Sequence, residues 1–216
     1  MTTKPLSLNH LIRPSEYEGK APLILMLHGY GSDENDLFSF ADYLPKKYTV
    51  ISVRAPYRLK PMGNAWYAIN FDANSNKFSD TKQAKESREK VKIFLKEAIE
   101  SYNINSEDVT LFGFSQGTIL SFATALTYPR MIKNIVGLSG YIDLNMAEIQ
   151  KESNFDHLNV YNSHGTVDQV IPVDWARKTP KLLKEFDINN LYEEFPIGHG
   201  VSQDNFQSVL KWLNKH

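Results

Sequence analysis

Cysteine is absent from the 216-residue chain, which removes disulfides, zinc–thiolate sites, iron–sulfur clusters and thiol nucleophiles together. Neither sign of charge is in excess. With 24 basic and 25 acidic side chains the formal charge is −1 and the pI is near 6.6. No basic field exists to hold a phosphate backbone, so no nucleic-acid partner is expected. Long apolar runs are missing as well. The longest, Ala21 to Leu27, falls far short of the ~20 residues that cross a bilayer. Met1 to His10 has neither the charged lead nor the apolar stretch of a secretion signal, and the cytoplasm is the expected compartment.

What the chain does have is 42% hydrophobic residues, with no repeat, low-complexity tract or composition shift to mark a linker. One domain spanning 1–216 is expected, since α/β proteins reach about 200 to 250 residues around one core. Short apolar runs rich in branched residues alternate with stretches of helical period, the pattern of an α/β fold whose mostly parallel central sheet carries helices on both faces. The predicted strands are Leu23 to Leu27, Thr49 to Val53, Val109 to Phe112, Ile135 to Leu138, Val160 to Ser163 and Leu191 to Phe195. Most lack polar/apolar alternation, as strands buried on both faces do. Leu6 to Ile12 is expected to add an antiparallel edge strand.

Helical spacing recurs at Leu37, Phe40, Ala41 and Leu44, at Val91 to Tyr102, and at Phe206 to Leu213. Two further helices are expected, from Gln116 to before Pro129 and between Val173 and Phe186, the latter kinked or split by Pro180. Ala55 to Asp80 is different, being rich in Pro, Gly, Asn and aromatics and without a sustained period. Trp66, Tyr67, Phe71 and Phe78 make it too apolar for a linker. It reads either as a wall of a substrate pocket or as an excursion that covers core.

Gly113-Phe114-Ser115-Gln116-Gly117 follows a predicted strand and opens a predicted helix, the setting a nucleophile elbow requires. With 11 glycines in 216 residues, chance placement gives about 0.04 such motifs per chain. The glycines are needed because a strand that turns abruptly into a helix holds its serine in a strained conformation, where flanking side chains would collide. The turn also places Ser115 at a helix start, whose free amides favour developing negative charge.

A serine hydroxyl needs a base to take its proton and an acid to orient that base. His199, in Gly198-His199-Gly200 after the last strand, is the expected base, because ligands and catalytic groups in open α/β sheets collect at the carboxyl ends of strands. His28 lies after the first strong strand, His10 and His216 near the termini, and His157 among polar residues. Asp168, in His164-Gly165-Thr166-Val167-Asp168, is the expected acid, with Asp143 as its competitor. The order Ser115, Asp168, His199 is that of α/β-hydrolases. The backbone amides of Tyr30 and Gln116 are the expected oxyanion donors, Tyr30 from the loop His28-Gly29-Tyr30-Gly31-Ser32. A dinucleotide-binding reading of that loop fails where Glu34 stands in place of the third glycine, a carboxylate that would repel pyrophosphate.

Taken together, these motifs and Arg54-Ala55-Pro56 and Ala65-Trp66-Tyr67 resemble the phospholipase/carboxylesterase family of α/β-hydrolases, which includes acyl-protein thioesterases and bacterial carboxylesterases. Ser32-Asp33-Glu34-Asn35-Asp36 is similar to the bacterial esterase branch. The resemblance implies an α/β-hydrolase fold without a separate cap domain. It implies the same triad and oxyanion donors, and an acyl pocket bordered by the loop of Trp66 and Tyr67, with Phe71 and Tyr141 packing around the serine. It implies a serine carboxylesterase acting on small acyl esters and on thioesters, with no metal or organic cofactor, and pairing into a homodimer. Thr81 to Asn103 mixes basic and acidic side chains as a solvated face does, so stable membrane association is not expected. A lysophospholipase or acyl-protein thioesterase, an amidase, and a non-catalytic binding protein of the same fold remain open on sequence alone.

Overall fold

The computed structural model describes residues 3–71 and 77–216, with the backbone alone described at Phe71, Lys77 and Phe78. Its main sheet has seven strands: β1 (His10–Arg13), β2 (Ala21–Leu27), β3 (Thr49–Val53), β4 (Ile104–Phe114), β5 (Asn134–Leu138), β6 (Asn159–Gly165) and β7 (Asn189–Phe195). Their order across the sheet is β1-β3-β2-β4-β5-β6-β7. The edge strand β1 runs antiparallel to β3, and every other neighbouring pair is parallel.

The uninterrupted apolar runs have a direct cause. Alternate residues of a strand face opposite sides of a sheet, and here both sides are covered. Leu23, Leu25 and Leu27 of β2 pack with Val91, Phe94 and Leu95 of α2 (Thr81–Ser101) and with α3 (Gln116–Thr127). Ile24 and Met26 pack on the other side, against Leu37 of the short α1 (Asn35–Phe38) and Val209 and Trp212 of the C-terminal helix (Gln203–Leu213). Asp80 caps α2 by accepting from the Gln83 amide at 3.0 Å, and Ser202 caps the last helix through Asn205.

One expected helix takes another form, and the stretch expected to be kinked or split by Pro180 is divided in two. The spacing from Leu37 to Leu44 yields only α1 and a 3-10 turn, Ala41–Tyr43, and Leu37, Ala41 and Leu44 still pack on one side of the sheet. The stretch after Val173 is two helices, Val173–Ala176 and Thr179–Glu185. Pro180 lies in the first turn of the second, where its missing N–H leaves no bond unmade. Between Ala55 and Asp80 the chain forms two small hairpins, Tyr57–Arg58 with Asn64–Ala65 and Ile69–Phe71 with Lys77–Ser79. Among the described residues no helix is long and apolar enough to cross a membrane.

Candidate active site

The loops that follow β2, β4, β5, β6 and β7 all open at the carboxyl edge of the sheet, and they bring the candidate residues together there. Ser115 joins β4 to α3 with φ 54° and ψ −116°, a conformation that L side chains rarely adopt. Its amide donates to the Leu138 carbonyl at 2.8 Å. The two motif glycines permit the turn: a Cβ on Gly117 would fall on the Leu27 carbonyl oxygen, and one on Gly113 would meet the Thr118 amide nitrogen.

Ser115 and His199 lie within hydrogen-bond distance, Oγ to Nε2 at 2.9 Å. His199 Nδ1 donates to Asp168 Oδ2 at 2.7 Å. With Nδ1 engaged as donor, Nε2 is free to accept the serine proton. The Asp168 carboxylate is fully buried, and its Oδ1 accepts from the amides of Val170 (2.8 Å) and Ile171 (2.9 Å). Burial pushes the Asp168 pKa up, but the hydrogen bonds from His199 and from the Ile171 and Val170 amides outweigh it and hold the group below its usual value. The segments carrying Asp168 and His199 are themselves joined, Thr166 N–H donating to Phe195 O at 2.8 Å and Val167 N–H to Ile197 O at 3.2 Å.

His28, which follows β2, is already committed. Its Nδ1 donates to Gly29 O (2.7 Å) and its Nε2 accepts from the Ala55 amide (3.0 Å). Burial lowers its pKa despite the Gly29 bond. This neutral ring braces the loop holding Tyr30. Among the described residues, the amides of Tyr30 and Gln116 have no hydrogen-bond acceptor, as required of donors kept for a ligand. Asp143 instead caps a 3-10 turn by accepting from the Asn145 amide.

Ser115 and His199 open into a cavity of about 650 Å³ whose walls include Tyr30, Tyr67, Ile69, Ile119, Tyr141 and Trp175. That size suits small-molecule sites, which span roughly 300–1,000 Å³. Tyr67 is buried and Tyr141 half-buried. Burial and the nearby Asp143 push the Tyr141 phenol up to about 12, so it enters the cavity as a hydroxyl, not as a phenolate. Trp66 does not line the cavity. It is fully buried, donating from Nε1 to His28 O at 2.9 Å and from its amide to Gln116 Oε1 at 2.8 Å. Gln116 completes the clamp through Nε2 to Tyr67 O at 2.8 Å. The Phe71 side chain lies outside the described residues.

Sequence reasoning missed three features: Trp175, edge-to-face with Tyr141 at 5.3 Å, the Gln116 side-chain clamp, and His164, which touches Asp168. The aromatic composition of Val173 to Ala176 was the available signal for Trp175. For the clamp and His164 no sequence signal distinguishes them from neighbouring polar residues.

The sheet and its loops define the α/β-hydrolase fold. Residues 11–216 match the phospholipase/carboxylesterase family model, and the chain belongs to that family of hydrolases. Acyl-protein thioesterase 1 of Candida albicans is 27% identical over 96% of this chain and 97% of its own length. The crystal structure of a Bacillus cereus carboxylesterase superimposes with a TM-score of 0.85 at 20% identity, covering 97% of this chain and 94% of that one. Acyl-protein thioesterase 2 of Zea mays does so with a TM-score of 0.77 at 20% identity, over 96% and 98%.

Proposed function

We propose that the protein is a serine carboxylesterase that cleaves small acyl esters and thioesters. The observation carrying this reading is the continuous hydrogen-bond relay Ser115, His199, Asp168 at an apolar cavity. His199 takes the Ser115 proton through Nε2 as Oγ attacks the carbonyl carbon. The carbonyl π pair moves to oxygen, where the Tyr30 and Gln116 amides receive it, each worth about 100- to 1000-fold in rate. As the tetrahedral intermediate collapses, the bond to the leaving alcohol or thiol breaks and His199 returns the proton to it. Water, deprotonated by the same histidine, then attacks the acyl-enzyme, and the carboxylic acid departs as Ser115 regains its proton. Asp168 holds His199 in the tautomer that this sequence needs.

A fluorescent organophosphonate should label wild type and not the His199→Ala variant, while p-nitrophenyl esters of increasing chain length are turned over by wild type alone. A folded wild type that is neither labelled nor active overturns the reading and favours a binding protein of the same fold.

The cavity also selects by charge. Asp36 and Asp143 are on its lining, and among the described residues no Lys or Arg is. A substrate with a free carboxylate near the reacting carbonyl therefore meets repulsion without compensation. Each pair at ~8 Å and an effective dielectric near 40 costs about 1 kcal/mol. The kcat/KM for a p-nitrophenyl hemisuccinate should accordingly fall about fivefold to thirtyfold below that for the butyrate, with the gap narrowing in high salt and in Asp143→Asn. Equal rates on the two esters would refute this.

A further inference from the structure

His164 is the one histidine beside the triad that the proposed mechanism leaves without a task. It sits on β6, four residues before Asp168, with its side chain fully buried. Two acceptors converge on its Nε2: the Ile171 carbonyl at 2.8 Å and Asp168 Oδ2 at 3.2 Å. In the neutral ring the single proton must therefore reside on Nε2, since a lone pair there would face two oxygens. Its Nδ1 is then a bare acceptor, buried and without a hydrogen-bond partner among the described residues. An apolar side chain would fill this space without stranding a polar atom. Here an imidazole stands instead, with one nitrogen unsatisfied and the other bonded to the Ile171 carbonyl at 3.2 Å from the carboxylate that orients His199.

We propose that His164 is a positioning residue for Asp168: anchored on the Ile171 carbonyl, its Nε2 edge lies against Oδ2 and limits how strongly the carboxylate draws on the His199 proton. The inference rests on the triad reading above. Oδ1 takes two backbone amides and Oδ2 takes His199, so three donors hold a buried carboxylate, and His164 Nε2 lies 3.2 Å from the same Oδ2. The surrounding charges are otherwise occupied. Glu194, the register partner of His164 on β7, accepts from Arg177 at 2.8 Å and from Tyr192 at 3.0 Å. Asp174 pairs with the same arginine. Among the described residues no other charged side chain pairs with Asp168. With the polar Nε2–H edge of His164 removed from beside Oδ2, the carboxylate's charge acts more fully on His199, the imidazolium is favoured, and the base surrenders its proton less readily.

The test compares His164→Met, which fills the space without a donor, with His164→Gln, whose amide N–H can reach toward Oδ2. On p-nitrophenyl butyrate the Met variant should lose about tenfold in kcat with KM within about twofold. The acid limb of its kcat/KM profile should move to higher pH by about half a unit, and the Gln variant should recover most of both. Equal losses in the two variants with an unmoved acid limb mean that His164 only packs, and full activity in the Met variant means that it does nothing for Asp168; either result overturns the proposal. If the Met variant does not fold, long-range 15N–1H spectra of wild type decide: a proton on Nε2 and a bare Nδ1 at His164 support it, and a proton on Nδ1 overturns it. Organophosphonate labelling of wild type is run first, so that failure of the triad reading is recognised separately.

Discussion

Replacing Ser115 with glycine is expected to abolish ester turnover while leaving the protein harder to unfold than the alanine variant. The first half follows from the relay: without Oγ there is no atom for His199 to activate, and kcat should fall by at least about 10⁴-fold. The second follows from the backbone. At φ 54° and ψ −116° both serine and alanine carry a Cβ into a region that only glycine occupies freely, at a cost of about 1–3 kcal/mol. Glycine relieves that strain, less about 0.5–1 kcal/mol of extra unfolded-state freedom. Both variants lose the bond to His199, so the comparison between them isolates the strain. About 1 kcal/mol in favour of glycine should appear as a Tm difference of about 2–4 °C for a chain of this size. Equal midpoints would mean that the elbow stores no strain, and residual turnover in Ser115→Ala would remove the nucleophile from the proposed mechanism.

The strand cores were legible because burial on both sheet faces writes itself as apolar runs. The strand ends were not. β4 begins at Ile104, five residues before the predicted start at Val109, and this part carries Asn105, Ser106, Glu107 and Asp108, whose polarity reads as loop. β7 likewise opens with Asn189 and Asn190. Of the expected edge strand, Leu6 to Ile12, only His10 to Ile12 forms a ladder with β3, and the strand runs on to Arg13. The hairpins between Ala55 and Asp80 have strands of two or three residues, too short for a period to register.

That Ser115, His199 and Asp168 meet was legible because a constrained elbow and strand-end loops leave marks at fixed chain order. The cavity walls were not, since they are assembled from segments far apart in sequence. Trp66 shows the limit. An aromatic in a long loop reads equally as a pocket wall or a brace, and only the position of the His28 carbonyl in another loop and of the Gln116 side-chain amide at the start of α3 makes it a brace. His164 is the converse, hidden inside the motif that announced Asp168.

Asp168→Asn separates orientation from mere presence of an acid. The amide is nearly isosteric, so the choice is which face it presents. Turning its NH₂ toward the Val170 and Ile171 amides would set donors against donors at both, so the carbonyl should take that side and the NH₂ should face the two histidines. His164 can then keep its proton on the Ile171 carbonyl alone. His199 has no such outlet: its Nδ1 must become an acceptor, and its proton moves to Nε2, where it points at Ser115. A base already protonated toward the nucleophile cannot take the serine proton, and kcat should fall about 10⁴-fold with KM little changed. The pH dependence of stability gives an independent sign. Because the folded-state pKa of Asp168 is depressed, the carboxylate contributes stability that is present above its unfolded value and is lost as pH falls through the folded one. Asparagine has nothing to titrate, so the variant should lose less stability than wild type on acidification across that window, measured by denaturant midpoints at successive pH values. An Asp168→Asn protein that keeps wild-type turnover, or whose acid unfolding parallels wild type, would show that Asp168 neither sets the His199 tautomer nor carries a stabilising charge.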